Sequence, residues 1–264
     1  MFKYSLLILL LGINYPMNAY NEGYSDNNGV KIFYRDYGPM GAEPIILVQG
    51  LGGQLTQWPD NLIDLLRDNN FRPIVYDNRD IGLSTMFTGS PNYTTDYIKY
   101  LFRLPLKSEY SIEDMGLDGI SVLDELQIES AHLLGMSMGG MIAQIMASNH
   151  PDRVKSFTLI ASTAATPSPL NSPTREVRNL LLDRSITSNT SYEERYQRAV
   201  KLISVIGMDG YEFDTPEFKE QAIENMKRSK DDTGFSRQLL AILSSKNRFN
   251  KIKAINIPTL IIHE

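Results

Sequence analysis

The sequence predicts an α/β fold: a mostly parallel sheet, an antiparallel hairpin at its start, and a helical cap inserted after the sixth strand. Three observations predict it. Continuous apolar runs such as Pro44-Ile45-Ile46-Leu47-Val48 suit strands covered by helices on both faces, the setting of parallel sheets. Between these runs lie segments of helical period. Residues 163–251 then hold helical segments and turns with no convincing strand, after which Ile257-Pro258-Thr259-Leu260-Ile261-Ile262-His263 returns to the buried-strand pattern. Such an interruption reads as an insertion into one sheet.

The elements follow in order. Residues 24–37 read as two strands around Asn28-Gly29, a strong hairpin signal because both turn positions need positive φ. The run at 44–49 ends in Gly50-Leu51-Gly52-Gly53, and residues 55–68 follow with Trp58, Leu62, Leu65 and Leu66 at helical spacing. This is strand, glycine-rich loop, helix. Residues 71–76 form another buried strand closed by Asp77-Asn78-Arg79-Asp80, and 111–126 an amphipathic helix with an acidic first turn, which favours its positive N-terminal dipole end. Next come a strand at 131–135, a helix at 138–149 stopped by His150-Pro151, and a strand at 154–161. Within the insertion, helices are predicted at 175–182, 192–205, 216–227 and 235–243.

Composition narrows the function classes. The 264 residues carry 31 acidic and 26 basic side chains, a formal charge of −5, and are 42% hydrophobic, enough for a substantial core. The acidic balance, with no lysine/arginine run, excludes the concentrated positive field that nucleic acid or an anionic membrane requires. The basic residues near 227–230 and 246–253 are expected on a solvated face. With no cysteine there is no disulfide, thiolate nucleophile or Cys-ligated zinc.

At the N-terminus, Lys3 precedes the apolar run Leu6 to Leu11, and a polar stretch with Pro16 and Ala19 follows. This is the layout of a signal peptide over 1–19, cleaved after Ala19, although Met17 is large for its position. The run is far short of the roughly 20 residues that span a bilayer, so no stable membrane anchor is expected. Export to a periplasm or the outside is the expectation; the alternative is an ordinary buried N-terminal element in a cytoplasmic protein.

Chemistry is concentrated in Gly135-Met136-Ser137-Met138-Gly139-Gly140. The pattern G-x-S-x-G between a strand and a helix makes a nucleophile elbow, with Gly135 and Gly139 allowing a tight turn and Ser137 presented at the sheet's C-terminal edge. The helix N-terminus favours developing negative charge, so the N–H of Met138 is a candidate oxyanion donor. The second candidate is the N–H of Leu51, in the loop where Gly50 and Gly52 present little side chain.

These features together resemble the α/β-hydrolase family over about residues 24–264. Asp77-Asn78-Arg79-Asp80-Ile81-Gly82-Leu83-Ser84 and the elbow are similar to members related to aclacinomycin methylesterase. The resemblance implies a serine hydrolase acting on carboxylic esters through an acyl-enzyme, with a small-molecule ester as partner and neither cofactor nor metal. Peptidases and C–C hydrolases share nearly the same motifs; serine at 137, rather than aspartate, disfavours a dehalogenase. Gln49 stands where many members have histidine, which leaves the backbone donor intact. Arg79 and Asp80 are expected to fix a loop rather than react. The resemblance divides the chain into a core of 20–164 and 252–264 and a cap of 165–251.

A serine nucleophile needs a histidine base and an acid that orients it, in the order Ser, Asp or Glu, His in this fold. His150 lies thirteen residues past Ser137, about 20 Å along the helix. His132 sits several strand rises below the catalytic edge, and His263 ends a strand roughly 10 Å to the side at about 4.8 Å per strand step. Glu264 comes too early to be the acid. The family carries acid, last strand, histidine and last helix beyond this point, so the chain is expected to be truncated at its C-terminus, and inactive or poorly soluble alone. The competing reading is a ligand-binding member that does not turn substrate over. Leu180, Leu181, Leu202, Ile203, Leu239 and Leu240 would roof an acyl or alcohol pocket or form the cap's own core. A metalloenzyme is disfavoured because His263-Glu264 ends a strand rather than opening a helix, and 50–53 lacks the lysine of a phosphate loop. Oligomeric state is left open.

Overall fold

The computed structural model describes residues 20–263 except 170–173, 184, 186–188, 208–209, 211 and 230–232. The expected signal segment and Glu264 lie outside the described residues. The hairpin forms from β1 (Asn21–Asn27) and β2 (Val30–Asp36), with Asn27 opposite Val30. Asn28 and Gly29 take φ values of 52° and 88°, the doubly positive pair of a two-residue hairpin turn.

The parallel strands are β3 (Glu43–Val48), β4 (Phe71–Tyr76), β5 (Ala131–Met136), β6 (Val154–Ile160) and β7 (Thr259–Ile262). The sheet order is β1-β2-β4-β3-β5-β6-β7, antiparallel where β2 meets β1 and β4 and parallel elsewhere. Successive residues feed opposite layers. Ile46 and Val48 join the cluster beneath α3 (Ile112–Glu125) and α4 (Met138–Asn149), while Ile45 and Leu47 join Leu55, Trp58 and Ile63 on the other face. Covering both faces is why the run from Pro44 shows no alternation.

The predicted helix at 55–68 is split. A 3-10 turn, Leu55–Gln57, is followed by Pro59 as N-cap of α1 (Asp60–Asp68). Proline cannot donate to a continuing ladder, so Trp58 and Leu65 are out of phase: Trp58 is buried and Leu65 is 59% exposed. The sequence reading omitted α2 (Tyr93–Leu101), capped by Asn92, which accepts from the Thr95 N–H. Ser111 and Asp114 form a reciprocal capping box on α3.

Beyond β6 lie α5 (Arg175–Leu182), α6 (Tyr192–Ile206), α7 (Pro216–Arg228) and α8 (Gly234–Ser244), then the unpredicted short α9 (Phe249–Lys253). α8 reaches the sheet layers, since Ala241 belongs to the main core cluster and Ile242 packs against it. Leu180 and Leu240 are buried. Two basic stretches are only partly solvated, which corrects the sequence reading: Arg228 pairs with Asp77, and Arg248 is 2% exposed and bonded to Gln144. Charge content does not reveal which cation turns inward. No helix among the described residues is long and apolar enough to cross a membrane.

Candidate active site

Ser137 occupies the junction between β5 and α4 with φ 54° and ψ −117°, a conformation that L side chains rarely adopt and that stores strain. The neighbouring strand holds it there. The Ser137 N–H donates to the Ile160 carbonyl at 2.9 Å, and the Ser162 hydroxyl donates to the Ser137 carbonyl at 2.8 Å. That carbonyl also accepts from Gly140 and Met141 in the first turn of α4. The Ser137 side chain is exposed and makes no hydrogen bond among the described residues.

The glycines leave room for backbone. A Cβ on Gly135 would stand 2.7 Å from the Gly139 carbonyl carbon, and one on Gly139 would stand 2.7 Å from the Gln49 carbonyl oxygen. The elbow is therefore packed against itself and against the end of β3. Gly50 faces Ser137: a Cβ there would lie 3.2 Å from the Ser137 Cβ and 3.8 Å from its Oγ.

The loop after β3 sorts its amides. Gly50 N–H donates to the Gln49 side chain, Gly53 N–H to the Gly50 carbonyl and Gly52 N–H to Gln238. The N–H of Leu51 has no partner among the described residues. The N–H of Met138 likewise has none, as the first amide of α4 has no carbonyl one turn earlier in the helix. The two sequence-predicted donors are thus amides without a partner among the described residues.

The loop after β4 is built from buried charge. Arg79 grips Asp118 through two bonds of 2.6 Å and lies over the Phe87 and Tyr110 rings. Against the cost of burial, Asp118 holds the guanidinium above its ordinary pKa. Asp80 accepts two bonds from Arg237, and Asp77 accepts the Leu55 and Leu83 N–H groups and Arg228. Arg79 and Asp80 are thereby engaged in holding the loop. Arg228, Arg237 and Gln238 were not singled out from the sequence, because partners 151 to 186 residues away leave no local signature.

No described histidine bonds to Ser137. The His132 ring contacts Ser156 at 2.7 Å and the edge of Phe71. His150 caps the far end of α4, and His263 follows β7, which is separated from β5 by β6. Among the described residues no group of three or more acidic or histidine side chains is placed to hold a metal. A groove of about 560 Å³ is lined by Tyr100, Leu104 and Leu243 together with Arg103, Lys246 and Asn247, and contains none of the elbow residues. Its β6-side wall begins four residues after Ser162, within about 14 Å of chain. A larger hollow of about 790 Å³ lies between α5 and α6, lined by charged residues such as Arg175 and Asp183, and contains none of the elbow residues.

The sequence model of the alpha/beta hydrolase fold matches residues 43–263. The chain belongs to the α/β-hydrolase family. It is 25% identical over 210 residues to rhodomycin D methylesterase DauP of Streptomyces sp. strain C5, covering 74% of this chain and 65% of that protein. It is 31% identical over 136 residues to 3-oxoadipate enol-lactonase 2 of Acinetobacter baylyi, covering 52% and 43%. This α/β-hydrolase therefore spans less than two thirds of the length of either relative. The crystal structure of the enol-lactonase from Burkholderia xenovorans LB400 superposes with a TM-score of 0.64 at 22% identity, over 90% of this chain and 80% of that one. At that identity the likeness establishes the shared fold. The mostly parallel sheet and the antiparallel N-terminal hairpin follow the family pattern.

Proposed function

We propose that the chain is a serine hydrolase of carboxylic esters with Ser137 as nucleophile. One observation carries the reading: Ser137 is held at positive φ on the sheet edge beside Gly50, and among the described residues its hydroxyl and the amides of Leu51 and Met138 make no hydrogen bond. In this reading the Ser137 Oγ attacks the ester carbonyl as its proton passes to a base. The two N–H groups take the oxyanion charge. The C–O bond to the alcohol then breaks, the alcohol leaves with the proton, and water releases the acid from the acyl-enzyme. The named activities of the relatives, a methylesterase and an enol-lactonase, support hydrolysis of an acyl–oxygen bond.

The base and its acid are proposed to come from residues following 264, the cap to comprise 165–251 on a core of 20–164 and 252–264, and residues 1–19 to direct export. The test combines the coding sequence past codon 264 with labelling by a fluorophosphonate and hydrolysis of p-nitrophenyl acetate. An acid and a histidine downstream, with labelling and turnover lost in Ser137→Ala, are the expected result. A second reading is ligand binding without turnover in the same cleft. It predicts a stop after codon 264, no labelling, and equal inertness of both proteins.

A further inference from the structure

The amide of Gly52 and the side chain of Gln238 lie 186 residues apart in sequence and 2.9 Å apart in space. Gln238 is fully buried on α8. Its Oε1 accepts from the Gly52 N–H and its Nε2 donates to the Arg79 carbonyl at 2.7 Å. Reversing the amide would set donor against donor and acceptor against acceptor, so both partners lock one orientation. The adjacent Arg237 clamps Asp80 through bonds of 2.9 and 2.8 Å, and the Phe235 ring fills the space where a Cβ on Gly52 would stand, 2.7 Å from its Cδ2. α7 holds the next residues of the same segment: Gln54 donates to the Asn225 carbonyl at 2.6 Å and accepts from Arg228 at 2.6 Å.

We propose that Gln238 is a positioning residue which, from the inserted helices, fixes the peptide planes of the 50–53 loop so that the Leu51 N–H points at the oxyanion. The catalytic consequence rests on the serine-hydrolase reading above. The reasoning is stereochemical. Gly52 has φ +73° and is free to swing. With its N–H tied to Gln238 and the Gly53 N–H tied to the Gly50 carbonyl, the peptide groups flanking it are pinned. Leu51 then carries the loop's unspent donor. Donors act on a transition state to the extent that they are aimed before charge develops, so the inserted helices are part of the oxyanion site rather than only a roof over it.

The test uses the full-length enzyme with Gln238→Leu, Gln238→Asn and Gln238→Glu. Amide exchange at Gly52, read by NMR, should quicken about tenfold or more in the leucine and asparagine variants, as loss of one buried hydrogen bond implies. Turnover of p-nitrophenyl acetate should fall about tenfold or more in kcat with KM within about twofold, because aim and not affinity is lost. Gln238→Glu keeps an acceptor for Gly52 but sets a second acceptor against the Arg79 carbonyl, so both readouts should fall between those of the wild type and the leucine variant. If the leucine variant aggregates, the asparagine variant carries the same expectation. Unchanged Gly52 exchange, or quickened exchange with unchanged kcat, overturns the proposal. Wild-type protein that takes no fluorophosphonate at Ser137 sinks the hydrolase reading separately, and Gly52 exchange still decides whether Gln238 sets the loop.

Discussion

Gly139, in the first turn of α4, runs directly against the carbonyl of Val48 at the end of β3. A Cβ at Gly139 would meet that oxygen well inside contact distance and the Gln49 oxygen at 2.7 Å. Both obstacles are backbone and cannot swing aside. Gly139→Ala is therefore expected to destabilise by about 3 kcal/mol or more, the upper end of overpacking, and to part Ser137 from the 50–53 loop. Gly29→Ala, at φ 88° with open space around it, should cost only about 1 kcal/mol of backbone strain. Urea midpoints of the two variants check the contrast; equal shifts would mean that the contact at Gly139 relaxes freely.

Ser137 pays for its presentation in backbone strain, so removing its Cβ should stabilise. Ser137→Gly is expected to unfold at higher urea than Ser137→Ala by about 1 kcal/mol, since only glycine adopts φ 54° without cost. Among the described residues the hydroxyl makes no bond whose loss would offset this. A glycine variant less stable than the alanine variant would argue that the turn is unstrained.

Much of this architecture was legible because it depends on local pattern. The Asn28-Gly29 turn, the apolar runs and the G-x-S-x-G spacing each encode a backbone requirement within a few residues. What escaped was long-range polar pairing: Gln238 with Gly52, Arg237 with Asp80, Arg228 with Asp77. An inward arginine and a solvated one look alike in a basic stretch. Local pattern also misled at residues 55–68, where apolar spacing ran through Pro59 and only the proline's missing N–H marked the break.

The Arg79–Asp118 pair is desolvated on both sides, with 4% and 0% exposure. Asp118→Ala would leave the guanidinium uncompensated and should cost about 3–5 kcal/mol. The double variant Arg79→Met with Asp118→Leu removes both charges and should recover at least half of that loss. Unfolding free energies of the four proteins close the cycle. A double variant as unstable as the sum of the singles would show that the two residues contribute independently.

His132 supplies a pH test away from the elbow. Burial, opposed by the attraction of Glu43, holds its imidazole below the ordinary value. Because the folded state binds this proton more weakly than the unfolded one, the sign is fixed: the contribution is retained above about pH 6.5 and lost as pH falls below it toward the folded value. His132→Asn should therefore show a shallower fall in melting temperature between about pH 7.5 and pH 5 than the wild type. An identical fall in both proteins would assign the acid sensitivity to other groups.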